Sequence, residues 1–411
     1  MKYYIIAGEA SGDLHGSNLV KQIYQLDEQA NIRCWGGDLM LAEGATVVKH
    51  YKHLAFMGFV EVLFNLRTIL KNLAFCKEDI RSFNPDVIVL IDYPGFNIKI
   101  AEWAKQKKFK TIYYISPQVW AWKEQRVKTI KKCVDKMLVI LPFEKDYYRK
   151  WDYKVDYVGH PLVEVIERFK TDNRQQTTDD QQRTTDERPA RIGNRQWTMD
   201  NGRWTTTNNQ HLTSDNYQSI IALLPGSRKQ EINKKLPIML QVSKSFPDFQ
   251  FIVAKAPGVQ DDFYEPFMTP YNNVSAVSNQ TYNLLNRAAA ALVTSGTATL
   301  ETALFGVPEV VCYKGNPISY QIAKRVIKVK YISLVNLIMD KPVVKELIQD
   351  DLTAGNCIKE LNELLLNGQR RAQLQKDYTD LKKLLAQGGH ASANAAKIIV
   401  DFIKPHRHIE T

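Results

Sequence analysis

Three short runs of small and polar residues hold most of the side chains in this 411-residue chain that are suited to chemistry. GEASGDLHGS begins at Gly8 after the apolar stretch Tyr3–Ala7, PGSR (Pro225–Arg228) follows Ile220–Leu224, and TSGTATLE (Thr294–Glu301) closes the stretch Ala291–Thr294. Each reads as strand, tight turn and helix start. The free backbone N–H groups and dipole of such a start favour an anion or a hydroxyl-rich ligand. In the first run Glu9 and Asp13 repel anions, so together with Ser11 and Gly12 they point to sugar hydroxyls; a βα turn capped by Ser11 or Asp13 is the plainer alternative. In the second, Arg228 can grip phosphate oxygens bidentately. A cation is unfavourable at a helix N-terminus unless an anion joins it, which weakens the reading of Arg228 as a mere surface residue. In the third, Ser295, Gly296 and Thr297 offer hydroxyls and N–H groups to a diphosphate. Glu301, one turn further on the face of Thr297, can accept the two hydroxyls of a ribose. An ordinary N-cap followed by a helix-stabilising Glu is the alternative there.

A fourth candidate is Asp92, in VIVLIDYPGFN. It follows the wholly apolar run Val87–Ile91, and a carboxylate at the carboxyl end of a buried strand faces the crevice where α/β proteins bind ligands. It is either a general base or the cap of a turn. Asn97 can orient Asp92 or meet a sugar hydroxyl. In SPQVWAWK, Trp120 and Trp122 either wall a sugar or acyl pocket or pack between strand and helix. His160, in GHP, either touches substrate or marks a domain boundary. No His, Cys, Asp or Glu set has metal-ligand spacing, and no Asp-x-Asp follows a strand. Within Met57–Lys77, Phe59, Val62, Leu63, Leu66, Ile69, Leu70 and Leu73 share one helical face. Val60, Phe64 and Phe75 project with Arg67 and Lys71 on the other, a combination suited to a membrane interface or acyl groove, or to a core helix with a few covered aromatics.

The elements that must position these residues follow from hydrophobic pattern. Short, nearly continuous apolar runs at Tyr3–Ala7, Ile32–Trp35, Val87–Ile91, Thr111–Ile115, Met137–Ile140 and Val155–Val158 predict parallel strands buried on both faces, with helices between. The alternation stops at Thr171–Tyr217, which has six Arg, seven acidic residues, no Lys and few apolar residues. This stretch is expected to be disordered. The pattern resumes at Ser219–Leu224 and continues through Gln250–Ala254, Ser275–Val277, Ala291–Thr294 and Glu309–Cys312, with helices at Gln230–Phe246 and Ala298–Phe305. From about Cys357 to Ile403 the chain reads as helical. The fold class is therefore α/β, with two Rossmann-like domains facing a central cleft: residues 1–170, an insertion at 171–217, residues 218–385, and a C-terminal helix within 386–411 that packs back on the first domain in cis or in trans.

Composition bounds the rest. The length suggests two domains, and 44% hydrophobic residues is a globular value. No apolar run approaches the roughly 20 residues that span a bilayer, and the N-terminus does not read as a secretory signal. Five dispersed cysteines without C-x-x-C spacing suit a reducing compartment. A net charge of +11 favours anionic partners, phosphorylated substrates or lipid headgroups among them. The basic residues are too dispersed for a compact nucleic-acid recognition module, so none is expected to bind.

In this order along the chain, GEASGD (8–13), FMGFVEVL (56–63), IDYPGFN (91–97), SPQVWAWK (116–123), LPFEK (141–145), VGHP (158–161), LLPGSR (223–228), SGTATLE (295–301) and YISLVNLI (331–338) resemble the lipid-A-disaccharide synthase family, inverting glycosyltransferases of GT-B fold. The resemblance implies transfer of 2,3-diacylglucosamine from its UDP conjugate to 2,3-diacylglucosamine 1-phosphate, giving a β-1,6-linked disaccharide 1-phosphate and UDP without metal or cofactor. It implies that Asp92 is the base and that Arg228 steadies the leaving diphosphate. Ser295, Gly296, Thr297, Glu301 and Asn336 would hold UDP, while Ser11, Gly12, Asp13, Asn97 and Trp120 would line the acceptor side. Phe59, Val60, Leu63, Phe64 and Arg67 would meet membrane or acyl chains. The implied setting is the cytoplasmic face of the inner membrane, held peripherally to anionic lipid, with a homodimer as one assembly. The insertion and the residues Tyr93–Pro94–Gly95 depart from the family pattern. Another GT-B UDP-sugar transferase or epimerase, or a non-catalytic relative, is the competing reading.

Overall fold

Strands that are apolar along their whole length must be covered on both faces, and in this chain they form two parallel sheets with helices on each side. The structure is a computed structural model describing residues 1–54, 66–121, 124–183, 197–200, 203–206, 219–316, 320 and 330–404. The first half runs β1 (Lys2–Ala7), α1 (Ala10–Leu26), β2 (Asn31–Gly36), α2 (Asp38–Ala42), β3 (Thr46–His50), α3 (Leu66–Phe83), β4 (Val87–Ile91), α4 (Pro94–Gln106), β5 (Thr111–Tyr114), α5 (Arg126–Cys133), β6 (Lys136–Val139), α6 (Glu144–Arg149), β7 (Asp156–Tyr157) and α7 (Pro161–Arg183). A hairpin follows, β8 (Trp197–Asp200) and β9 (Arg203–Thr206). The second half runs β10 (Ser219–Leu224), α8 (Lys229–Val242), β11 (Phe249–Lys255), α9 (Glu265–Met268), β12 (Val274–Ser278), α10 (Thr281–Arg287), β13 (Ala288–Thr294), α11 (Thr297–Phe305), β14 (Glu309–Tyr313), α12 (Leu334–Met339), β15 (Lys345–Ile348), α13 (Ala354–Leu366), α14 (Gly368–Ala386) and α15 (Ala391–Ile403).

Strand order decides where ligands go. The sheets are ordered β3-β2-β1-β4-β5-β6-β7 and β12-β11-β10-β13-β14-β15. In each, successive connections reverse direction beside the first strand, between β1 and β4 and between β10 and β13. An open α/β sheet leaves a crevice at that switch point, outside the carboxyl ends of the strands. Ala7 pairs with Ile91 at the end of β1 and β4, and Leu224 pairs with Val293 at the end of β10 and β13. Glu9 and Asp92 therefore leave one switch point side by side, and the PGSR and TSGT turns leave the other.

The two halves are tied together by α7 and the C-terminal helices. Lys170 Nζ donates to the Leu304 carbonyl at 3.1 Å, Lys382 pairs with Glu167 at 3.2 Å, and the Phe169 ring packs on Tyr282 and Phe305. The final helix then returns to the first half of its own chain. Ala391, Ala395, Ala396 and Ile399 are buried in the core, and the Ser392 hydroxyl bonds the Glu164 carboxylate at 2.6 Å. Gly159 and Gly388 make this crossing possible, since a Cβ on Gly388 would lie 2.3 Å from the Gly159 Cα.

Several expectations change. The edge strands β3 and β15 escaped the sequence reading because they are half-buried and carry Lys, His or Glu among their apolar residues. The polar stretch from Thr171 is not irregular throughout. α7 continues to Arg183, started by a Pro at its first position and continued by helix-favouring Lys, Gln and Arg beyond its apolar first turns. Trp197–Asp200 and Arg203–Thr206 pair antiparallel, with Asp200 opposite Arg203. In α3, Leu73, Cys76 and Ile80 point inward, whereas Leu70 is 52% exposed. Leu70 sits at the border of the buried stripe and turns outward, beside exposed Arg67, Lys71 and Phe75. Phe59, Val60, Leu63 and Phe64 lie outside the described residues, as does Trp122. No described helix is long and apolar enough to cross a membrane.

Candidate active site

Asp92 sits on a strained turn. Both Asp92 (φ 43°) and Tyr93 (φ 49°) adopt the left-handed region, and Pro94 then starts α4. A non-glycine residue in that region costs about 1–2 kcal/mol, so two in succession need support. It comes from the Asp92 carbonyl, which accepts from Tyr113 Oη at 2.6 Å and from Asn97 Nδ2 at 2.8 Å. Asn97 is fully buried and also reaches the Ile91 carbonyl at 3.2 Å. Its amide nitrogen thereby holds the Asp92 backbone in place. Gly8 is required beside this turn: a Cβ there would lie 2.4 Å from the Tyr93 ring, which stacks on Phe96.

Electrostatics set the state of Asp92. Burial, and then the nearby Glu9 carboxylate, push its pKa up to about 7. Two carboxylates leaving adjacent strands resist ionising together. Burial also raises Glu9, while the Arg228 guanidinium opposes that rise. Glu9 thus feels Asp92 on its own side of the cleft and Arg228 on the other.

On the second sheet, Arg228 is the N-cap residue of α8, half-exposed and 3.7 Å from Glu231. Gly296 is the N-cap residue of α11 at φ +135°, a conformation that favours glycine. Neither helix start carries a side-chain cap. The capping alternative for Ser295 and Thr297 is therefore not what the structure adopts. Ser295 donates its hydroxyl to the Ile332 carbonyl at 2.7 Å, and Glu301 accepts from Tyr282 Oη at 3.0 Å. Burial raises the Glu301 pKa.

Three expected site residues are engaged elsewhere. The Asp13 carboxylate accepts from the backbone N–H groups of Gly37 (2.7 Å), Leu39 (3.1 Å) and Met40 (3.1 Å), so it caps α2 instead of facing sugar hydroxyls. Both polar atoms of the Asn336 amide are held inside the protein: Nδ2 donates to the Val344 carbonyl and to Glu346, and Oδ1 accepts from the Val344 N–H at 2.9 Å. Asn336 shapes the loop that receives Ser295 and is not turned toward a nucleotide. Trp120 is 7% exposed and packs edge-on against Phe143, the packing alternative for this residue. Ser11 is exposed in the first turn of α1, and Gly12 is buried with its Cα hydrogens toward Ala7. His160 lies deep in the first domain beside His15, and burial drives their pKa values down to about 3 and about 4. Both are neutral imidazoles of the interior.

Sequence reasoning missed Glu346 and Lys235. Glu346 accepts from the Ile332 and Ser333 N–H groups and from Asn336, which fixes the YISL loop behind Ser295. Nothing local in KELI announces that role. Lys235 occupies the apolar stripe of α8, and a lysine three residues after Ile232 and four before Met239 was a readable signal. Among the described residues no three His, Cys, Asp or Glu side chains gather as a metal ligand set.

The family described as lipid-A-disaccharide synthetase matches residues 3–196 and 198–401. The chain belongs to the lipid-A-disaccharide synthase family. It is 35% identical over 404 residues to the lipid-A-disaccharide synthase of Geobacter sulfurreducens, covering 97% of this chain and 96% of that protein. It is also 35% identical over 403 residues to that of Coxiella burnetii, covering 97% and 98%. Solved structures agree in fold. A UDP-GlcNAc 2-epimerase from Neisseria meningitidis bound to UDP-GlcNAc superposes with a TM-score of 0.63 at 12% identity, covering 98% of this chain and 99% of that one. The kitacinnamycin glycotransferase does so at 0.60, also 12% identical, covering 98% and 99%. As a lipid-A-disaccharide synthase family member, the chain is a glycosyltransferase built on the GT-B fold.

Proposed function

We propose that the cleft performs a single displacement in which Asp92 is the general base and Arg228 the principal support of the leaving group. The donor is UDP-2,3-diacylglucosamine and the acceptor 2,3-diacylglucosamine 1-phosphate. The acceptor 6-hydroxyl oxygen attacks the anomeric carbon, its proton passes to the Asp92 carboxylate, and the bond from that carbon to the UDP oxygen breaks. The electron pair stays on the diphosphate, where Arg228 and the uncapped N-termini of α8 and α11 meet the growing charge. Preorganised donors of this kind contribute on the order of 3–4 kcal/mol each to a barrier. Ser295, Gly296 and Thr297 hold the diphosphate, and Glu301 the ribose.

The observation that carries this reading is the state of Asp92. A carboxylate with a pKa of about 7, on a strained turn at a sheet switch point, is matched to accepting a proton near neutral pH. Glu9 extends that match across the cleft, since its charge reaches both Asp92 and Arg228. Ser11 and Gly12 line the acceptor side at the start of α1. The exposed face of α3, with Arg67, Leu70, Lys71 and Phe75, supports contact with acyl chains at an anionic membrane surface.

Purified protein incubated with both acylated substrates should yield the tetraacylated disaccharide 1-phosphate and UDP, read by mass spectrometry. Non-acylated UDP-N-acetylglucosamine should be neither transferred nor epimerised. No disaccharide in detergent or in vesicles, or rapid epimerisation of the simple sugar nucleotide, would overturn the reading.

A further inference from the structure

α8 buries Ile232, Leu236, Met239 and Leu240, and Lys235 lies in the same stripe with only 3% of its surface exposed. A buried ammonium is costly unless it is matched by charge and hydrogen bonds. The partners of Lys235 are sparse for such a burial. Its Nζ donates to Thr294 Oγ1, a neutral hydroxyl, and the Glu231 carboxylate stands at 3.9 Å, the outer range of an ion pair. Glu231 is at the same time 3.7 Å from Arg228, so one carboxylate serves two cations. Burial holds the ammonium below the usual lysine range, and the Arg228 and Lys234 charges add to that, while Glu231 opposes it.

The placement of this group is specific. Gly226, at φ +123° in the PGSR turn, clears the space: a Cβ there would lie 2.6 Å from Glu231 Oε2 and 3.4 Å from Lys235 Nζ. Thr294 is the last residue of β13, directly before Ser295, Gly296 and Thr297. The ammonium therefore lies against both turns of the second switch point at once, reaching Thr294 on one and lying close to Gly226 on the other.

We propose that Lys235 is a positioning residue of the donor's diphosphate site, a buried cation that binds the β13–α11 turn to the PGSR turn and supplies positive charge beneath the phosphates. The inference rests on the reading of this turn pair as the UDP site. Lys235 does not touch the donor. It acts through Thr294 and through its field, which in a water-poor site is weakly screened. It deepens the account of leaving-group support, because a charge already in place needs no rearrangement as the diphosphate departs.

Calorimetric binding of UDP and of uridine to Lys235→Met tests it. Methionine keeps length and volume and removes the charge. UDP affinity should fall at least tenfold while uridine affinity changes by less than twofold, and kcat should fall with UDP affinity. Thr294→Val, which keeps shape and removes the acceptor hydroxyl, should weaken UDP several-fold and spare uridine, and it is read the same way if Lys235→Met does not fold. Unchanged UDP affinity in both variants would overturn the inference, and so would a parallel loss of UDP and uridine, which marks a purely structural lysine. Failure of the unsubstituted protein to bind UDP would instead remove the donor-site reading on which the inference stands.

Discussion

Replacing Asp92 by Asn removes the proposed base while keeping shape, and asparagine accepts the left-handed backbone of φ 43° as well as aspartate does. The loss of a positioned base costs about 10²–10⁴-fold in kcat, with UDP affinity retained. The same substitution should stabilise the protein at high pH. Burial and Glu9 raise Asp92 from 3.8 to about 7, so the folded state holds the proton more tightly than the unfolded chain. That contribution to stability is fully present below pH 3.8 and is lost as pH rises through about 7. Three units at about 1.4 kcal/mol each bound the loss at about 4 kcal/mol, and the partial exposure of Asp92 reduces it to about 2 kcal/mol. Urea unfolding should therefore show Asp92→Asn more stable than the parent at pH 8, by about that amount, with the advantage shrinking toward pH 4. The unsubstituted enzyme should lose activity about tenfold per pH unit below pH 7, as expected for a base that must be ionised. An Asn variant within threefold of parental kcat would refute the base assignment, and one less stable at pH 8 would refute the electrostatic reasoning.

Three further outcomes follow from the same geometry. Glu9→Gln removes the like charge beside Asp92, so the acid limb of the kcat/KM profile should move down by roughly one pH unit and activity at pH 6 should rise about two- to fivefold if binding is unchanged; an unmoved limb counts against the coupling. Arg228→Lys keeps the charge but loses the bidentate fork, and kcat should drop about 10²-fold with uridine binding intact, as measured by steady-state kinetics and calorimetry. Gly8→Ala drives a methyl group into the Tyr93 ring at 2.4 Å, so it should cost about 1–3 kcal/mol in urea unfolding, and Tyr93→Ala in the same chain should recover most of it.

Much of the fold was legible because buried parallel strands are unbroken apolar runs. Val87–Ile91 and Ser219–Leu224 are found where the pattern put them. β3 and β15 were not, since an edge strand is covered on fewer sides and tolerates the mixed sequences TVVKH and KELI. In the site, turns following strands were readable as places where chemistry sits, because strand, small residues and helix start are all local signals. Which way a side chain faces was not. Asp13 reads like Glu9 in the sequence, yet its carboxylate turns inward to α2, a helix 25 residues further along the chain, while Glu9 is left beside Asp92. Asn336 is claimed by Val344 and Glu346 through contacts that no motif encodes. The strain at Asp92 and Tyr93 likewise depends on Tyr113 and Asn97 reaching one carbonyl from two other elements.

The central claim is one displacement with one base, and the anomeric configuration of the product reports on it most directly. Proton NMR of the disaccharide 1-phosphate made by the purified protein from an α-linked UDP donor should show a β linkage at the new bond. An α linkage would contradict single displacement at Asp92 and require a different mechanism in this cleft.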